Sequence, residues 1–91
     1  MKREPAVAGL FYPFDPISLR REIERSFLGD LGPGSLPEVN KNRLEKPIGL
    51  ISPHAGYMYS GQIASWGFYE LAKLGTPDLF VLIGPNHTGF G

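Results

Sequence analysis

Cysteine is absent from the 91-residue sequence, which excludes disulfides, thiolate nucleophiles and cysteine-based zinc or iron–sulfur sites within these residues. An excess of one charge is also absent, because nine basic residues balance nine acidic ones, and we therefore expect no nucleic-acid partner. No apolar run approaches the roughly 18 residues that span a bilayer, and no signal-peptide core follows the first charges. We therefore expect no membrane partner and a cytoplasmic location.

Glycine and proline are abundant, at twelve and nine residues, but 42% of the sequence is hydrophobic, so the chain is expected to fold. Charged residues are unevenly distributed, since only Glu70, Lys73 and Asp78 are charged after residue 46. Such a second half is typical of a protein interior. The sequence also stops in a loop-like stretch after Thr88, so we expect residues 1–91 to be the N-terminal part of a single larger domain.

The first half contains one clear helix signal. Asp15 followed by Pro16 is a favourable helix start, and apolar residues then recur every fourth position up to Gly29. The pattern predicts an extended segment over residues 1–15, an amphipathic helix over 16–28 and a surface loop over 29–47. A loop of that length is unusual in a compact domain and is expected to be mobile or functional.

The second half has the order strand, helix, strand. Two short apolar runs, residues 48–52 and 79–83, suit strands that are covered on both faces. Between them, Ser60 is expected to cap a helix over residues 61–74. The apolar stripe predicted for this helix comprises Ile63, Gly67, Leu71 and Leu74. A right-handed crossover would make the two strands parallel, which indicates the α/β class.

Both histidines follow the predicted strands. His54 comes after the first apolar run and His87 after the second, and ligand sites in open parallel sheets lie past the carboxyl ends of strands. Neighbouring strands would bring the two imidazoles close enough to share one metal ion, and with one strand between them the loops would have to bridge about 10 Å. The alternative is that each histidine is an ordinary hydrogen-bonded loop residue.

Tyr57 and Ser60 lie between the His54 loop and the predicted helix. They are candidates for substrate orientation, and Tyr57 could also donate a proton. The alternative for Ser60 is simple helix capping, and the alternative for Tyr57 is packing against the sheet edge. Since neither G-x-G-x-x-G nor a lysine-containing phosphate loop occurs, no nucleotide cofactor is indicated.

Three motifs, RxPAVAGxFYP (3–13), PHAGYxYSG (53–61) and IGPNHTG (83–89), together resemble the Memo family (mediator of cell motility), also called AmmeMemoRadiSam system protein B. The resemblance covers nearly the whole chain. It implies the N-terminal part of a fold similar to that of the class III extradiol dioxygenases, which use non-haem iron. It also implies a cleft metal site in which His54 and His87 are ligands, with a third ligand from a later part of the chain.

The resemblance leaves two functions open. One is a metal-dependent oxidoreductase holding iron or copper, or alternatively zinc, in which Tyr57 or Ser60 orients the ligand. The other is a non-catalytic protein that binds a peptide or an anion in the same cleft. The implied partners are a small molecule or peptide in the cleft and, for microbial relatives, a radical-SAM protein and an AMMECR-like protein. Because the apolar second half lacks cover, residues 1–91 alone are expected to self-associate.

Overall fold

Two packed α-helices, α1 (Pro16–Leu28) and α2 (Tyr57–Leu74), organise the computed structural model, which describes residues 2–89. The other described residues form turns and extended chain. Met1 and residues 90–91, which belong to the predicted first and last segments, lie outside the described residues. Neither helix in this part of the chain combines the length and hydrophobicity that a membrane crossing requires.

Helix α1 has the bounds that the sequence predicts. The carboxylate of Asp15 accepts hydrogen bonds from the backbone N–H and the hydroxyl of Ser18, at 2.8 and 3.0 Å, and Pro16 occupies the first turn. These contacts satisfy helix donors that would otherwise lack partners. The helix ends where the Gly29 N–H donates to the Arg25 carbonyl, at 2.9 Å.

The predicted start of the second helix was wrong by four residues, since α2 begins at Tyr57. Gly56 is its N-cap, and the Gly56 carbonyl accepts hydrogen bonds from the N–H groups of Tyr59 and Ser60. Ser60 therefore lies inside the first turn and does not cap the helix. Ser60 resembled a cap because serine is a favoured N-cap residue. Gly61, which is unfavourable within an isolated helix, lies instead at the contact of α2 with Ser26 of α1.

The contact between the helices is close because Gly61 has no side chain. A Cβ atom there would lie 2.6 Å from the hydroxyl oxygen of Ser26 on α1. Gly61, Ser65 and Phe27 are the buried helical residues within 2–89, and the Ser65 hydroxyl lies 2.6 Å from the carbonyl of Gln62 and 3.2 Å from that of Ser26. The predicted stripe was wrong in part, because Ile63 and Leu74 are more than half exposed. The close contact of α2 with α1 is made instead by the small residues of α2.

Residues 29–47 contain no helix or regular strand, as predicted, but they are bound along α2. The Leu31 N–H donates to the Gln62 side-chain carbonyl at 2.7 Å, and the indole N–H of Trp66 donates to the Leu31 carbonyl at 2.8 Å. Further along, the Asn40 N–H donates to the Ala72 carbonyl at 2.8 Å. The loop thus crosses from the middle of α2 to its C-terminal end and supplies partners for terminal helix carbonyls.

The first segment is not extended throughout. The Val7 carbonyl accepts hydrogen bonds from the N–H groups of Leu10 and Phe11, at 2.9 and 3.0 Å, and Gly9 has a φ angle of 85°. A positive φ favours glycine because it has no Cβ atom. The chain therefore makes a tight turn before Tyr12.

The two apolar runs do not form a ladder with each other. Within residues 2–89, β-pairing is limited to isolated parallel bridges, Ala8 with Tyr12 and Arg43 with Thr76. Leu50 of the first run packs on Gly67 of α2, while the residues of the second run are exposed. The predicted parallel strand–helix–strand unit and the α/β class are therefore not confirmed, because strands form only where neighbouring strands complete their hydrogen bonds.

Candidate functional site

His54 and His87 lie against each other. Their Nε2 atoms are 3.1 Å apart, although 33 positions separate the two residues along the chain. Both residues are exposed, so the burial of apolar surface does not account for their approach. The structure thus brings together the two residues that the sequence singles out as metal ligands, and their role as ligands stays a prediction.

The two imidazole rings meet end to end. Their planes are inclined by 25° and their centroids lie 5.3 Å apart, which exceeds the separation of the Nε2 atoms by about one ring diameter. Each Nε2 is therefore directed toward the other ring. A direct hydrogen bond between two neutral imidazoles of complementary tautomers has this geometry, with one ring donating and the other accepting.

The same separation also fits two ligands of one metal ion. Nitrogens bound to a common ion at about 2.0–2.1 Å lie about 2.9 Å apart at a right angle and about 3.4 Å apart at the tetrahedral angle. The observed 3.1 Å between the Nε2 atoms of His54 and His87 falls inside this range. Because the two Nε2 atoms point at each other in this structure, each ring would have to turn for both lone pairs to meet at one ion.

The His54 loop is joined to the start of α2 through Ser60. The Ser60 hydroxyl donates a hydrogen bond of 3.2 Å to the carbonyl of Ala55, the residue after His54. The hydroxyl of this candidate for substrate orientation is therefore engaged with the protein backbone. Ser60 is thus close to His54 in the sequence and contacts the loop that carries His54.

The His87 loop is closed by the side chain of Asn86. Its carboxamide oxygen accepts a hydrogen bond of 2.9 Å from the Gly89 N–H and one of 3.4 Å from the Thr88 hydroxyl. Gly89 has a φ angle of 78°, in the left-handed region. Asparagine commonly closes turns in this way. His87 consequently lies inside a turn that its own neighbours stabilise.

Tyr57 is held by a contact that the sequence analysis missed. Its half-buried ring packs against that of Tyr12, with centroids 6.2 Å apart and planes inclined by 33°. No hydrogen bond or ring contact joins Tyr57 to either imidazole among residues 2–89. Since 45 positions separate the two tyrosines, no local pattern could have paired them. The one available signal was that the motifs at 3–13 and 53–61 both contain aromatic residues.

A pocket of ≈ 520 Å³, here called the Tyr57 pocket, opens at the start of α2. Its lining consists of Leu10, Phe11, Glu22, Gly56, Tyr57, Met58 and Tyr59. Aromatic and apolar side chains with one carboxylate are a typical lining for a small-molecule or peptide side-chain site. Of the two candidates for substrate orientation, Tyr57 lines this pocket.

Within the described residues, the histidine pair has no third candidate ligand beside it. Within residues 2–89, no group of three or more His, Cys, Asp or Glu side chains is arranged to hold a metal ion. Metal sites with two imidazoles usually have at least one further protein ligand. Any such ligand would therefore have to come from outside the described residues.

Comparison with known proteins gives consistent results along the whole chain. Residues 3–91 match the sequence model of the family described as "Memo-like protein". A "MEMO1 family protein" of Thermotoga petrophila is 56% identical over 92 residues, covering 100% of this chain and 33% of the relative. Proteins of the same description from Ignicoccus hospitalis and Sulfolobus acidocaldarius are 55% and 53% identical, covering 98% and 100% of this chain and 31% and 33% of the relatives.

The chain thus spans about a third of the length of these curated relatives. No solved structure matches it.

Proposed function

The chain belongs to the Memo family, and on this premise we propose that His54 and His87 are two ligands of a transition-metal ion. The observation that carries the proposal is the 3.1 Å separation of their Nε2 atoms, which lies within the range for two nitrogens on one ion. The class of reaction that we propose is a metal-dependent oxidation related to that of the non-haem iron dioxygenases.

The donor set supports iron or copper, with zinc as the alternative. Neutral imidazole is a common ligand of all three metals, and the type of the third ligand decides among them. A bound metal of this kind would polarise an oxygen of the substrate or of dioxygen. The two imidazoles would hold it through their Nε2 lone pairs.

The third ligand belongs to the same proposal. Because the relatives are about three times as long as this chain, we place the ligand in the part of the full-length protein that residues 1–91 do not include. A Cys, His, Asp or Glu side chain next to the histidine pair would complete a site with an open position for substrate.

Tyr57 supports the proposal as a substrate-orienting residue. It lines the Tyr57 pocket together with Phe11 and Tyr59, and its contact with Tyr12 limits the motion of the ring. An aromatic wall of this kind would orient a small organic molecule or a peptide side chain by packing. The hydroxyl of Ser60, the other candidate, donates to the Ala55 carbonyl and can still accept a hydrogen bond, so its role in orienting a substrate stays a prediction.

A second candidate function is the non-catalytic binding of a peptide or an anion in the same region. The observation in its favour is the end-to-end orientation of the two imidazoles, which suits a direct hydrogen bond between them. In this case the histidines would be recognition groups and no metal would be needed. The two functions differ in one measurable property, which is the uptake of metal.

Metal analysis of the full-length protein tests the proposal. We expect the wild-type protein, supplied with iron, copper or zinc, to bind about one ion. The variants His54→Ala and His87→Ala should each lose most of it, because each removes one ligand of a site that has few. Elemental analysis after removal of free metal gives the stoichiometry. Ser35→Ala serves as the control, since Ser35 contacts Tyr69 and neither histidine.

Two results would overturn the metal proposal. One is a wild-type protein that takes up none of the three metals when they are supplied. The other is unchanged uptake in both histidine variants. Either would leave the binding of a peptide or an anion as the function to be tested next.

A further inference from the structure

We infer that Ser60 and Asn86 are positioning residues that hold the imidazoles of His54 and His87 together before any ligand binds. The inference rests on the proposed function, because it assigns a purpose to the spacing of the pair. It concerns two hydrogen-bonded loops, one at the start of α2 and one at residues 86–89. Neither side chain is placed in contact with a metal or a substrate.

The histidine pair needs external support because packing does not hold it. Both residues are exposed, and an exposed side chain is free to change rotamer on a fast timescale. Metal-binding imidazoles are usually oriented by a hydrogen bond from the ring nitrogen that does not bind metal. Among residues 2–89, no partner is seen for the Nδ1 atom of either ring. Apart from the contact between the two Nε2 atoms themselves, the spacing of 3.1 Å therefore depends on how the two loops are held.

Ser60 supplies this support on the His54 side. Gly56, the N-cap of α2, has no side chain that could make a capping hydrogen bond, and the backbone at a glycine is intrinsically mobile. The Ser60 hydroxyl spans this position and donates to the Ala55 carbonyl at 3.2 Å. Since Ser60 is part of an 18-residue helix, the hydrogen bond fixes the residue next to His54 to a rigid element.

Asn86 supplies the support on the His87 side. Its carboxamide oxygen accepts from the Gly89 N–H at 2.9 Å and from the Thr88 hydroxyl at 3.4 Å. These hydrogen bonds close the turn around His87. The loop carries only exposed residues, so its conformation depends on hydrogen bonds within it more than on burial.

Holding ligands in place before binding should raise the affinity of the site. A site whose ligands are already converged loses less conformational entropy when the ion binds. A loosened loop would leave both imidazoles present but separated for much of the time. The expected signature of a positioning role is therefore a loss of ring proximity together with a loss of affinity.

The experiment uses the full-length protein with isotopically labelled histidine. In the metal-free wild type we expect a nuclear Overhauser effect between ring C–H protons of His54 and His87, assigned with the His→Ala variants. Ser60→Ala and Asn86→Ala should each lose most of this signal. They should also bind Zn²⁺, used as the probe, about 10–100-fold more weakly, as is typical when support around a metal ligand is removed.

Conservative and unrelated variants separate positioning from stability. Ser60→Thr keeps a hydroxyl donor and Asn86→Asp keeps a side-chain acceptor, so both should retain the ring-to-ring signal. Asn40→Ala removes a hydrogen bond from the Asn40 carboxamide to the Lys73 carbonyl at the other end of α2. It should lower the thermal midpoint and leave the signal between the histidines unchanged.

Each outcome decides one claim. A missing ring-to-ring signal in the wild type, or an unchanged signal and zinc affinity in Ser60→Ala and Asn86→Ala, would overturn the positioning role. In the latter case, loss of zinc in His54→Ala would leave the proposed function intact. The two proposals can also fail separately. If the wild type binds none of the three metals, the metal proposal is overturned, and loss of the ring-to-ring signal in Ser60→Ala and Asn86→Ala would still support the positioning role.

Discussion

Asp15 illustrates how one side chain sets the start of an element. Its carboxylate accepts two hydrogen bonds from Ser18, one from the backbone N–H and one from the hydroxyl. The backbone hydrogen bond, followed by the hydroxyl, lowers the pKa of Asp15 from its ordinary value of 3.8. Both hydrogen bonds favour the charged form, and the positive end of the helix acts in the same direction.

The lowered pKa of Asp15 predicts a specific dependence of stability on pH. Because the folded-state pKa lies below the unfolded one, the carboxylate stabilises the fold above the unfolded value of 3.8, and this contribution is lost as the pH falls through the folded pKa. Asparagine also caps helices but does not titrate. The stability difference between wild type and Asp15→Asn should therefore shrink as the pH is lowered from about 5 to about 2.

Denaturant unfolding at a series of pH values measures this difference. Asp30→Asn is the matched control, since no hydrogen bond to the Asp30 carboxylate is seen in the described part of the chain. If the free energy of unfolding depended on pH in the same way for the wild type and Asp15→Asn, the ionisation of Asp15 would not be coupled to folding.

At the scale of elements, the packing of α1 on α2 depends on small residues. Gly61 lies beside Ser26, and the Ser65 hydroxyl lies 3.2 Å from the Ser26 carbonyl, so the backbones approach closely. A larger side chain at this contact must move the Ser26 side chain or shift α1, because a Cβ atom at position 61 already comes within 2.6 Å of the Ser26 hydroxyl. The same glycine is unfavourable for an isolated helix. Tertiary contact thus outweighs helix propensity here.

Gly61→Val should lower the free energy of unfolding by about 1–3 kcal/mol, which is typical of overpacking at a close contact. Met58→Val is the matched control, because it introduces the same β-branched residue at a position that is 83% exposed on the same helix. Adding Ser26→Ala to Gly61→Val should restore part of the loss by removing the hydroxyl. Urea unfolding of the wild type and the three variants measures these changes, and equal losses at positions 58 and 61 would contradict the packing argument.

At the scale of the whole molecule, the main feature is exposed apolar surface. Ile51 and Ile83 are 99% and 94% exposed, whereas Phe27 is the buried hydrophobic residue of the described chain. Large contiguous apolar areas are rare on monomeric proteins, and many exposed apolar side chains favour association. The extended runs around these residues also have unpaired backbone groups, which favour association through strand edges.

Residues 1–91 in isolation should therefore associate with themselves. We expect light scattering to show particles larger than the monomer, increasing in size with protein concentration. Leu82→Lys, which places a charge in the exposed second apolar run, should reduce the association, and Ser35→Lys, which adds the same charge at a polar position, should not. A monomeric chain with one cooperative unfolding transition would contradict this prediction.

The sequence by itself determined the features that depend on neighbouring residues. Asp15 and Pro16 act within one turn, and so helix α1 was predicted with its observed bounds. The motifs that contain His54 and His87 identified the family, which the comparison along the whole chain confirms. Because His54 and His87 each follow an apolar run, the sequence also indicated that these two residues belong to a site.

Only the tertiary structure decided the features that join distant parts of the chain. Helix α2 begins before Ser60, with Gly56 as its N-cap, and Gly61 lies at the contact with Ser26 of α1. The 3.1 Å between the imidazoles of His54 and His87 could not follow from sequence spacing. It depends on the path of α2 and of both loops, and a shift of about one strand spacing would have separated the rings.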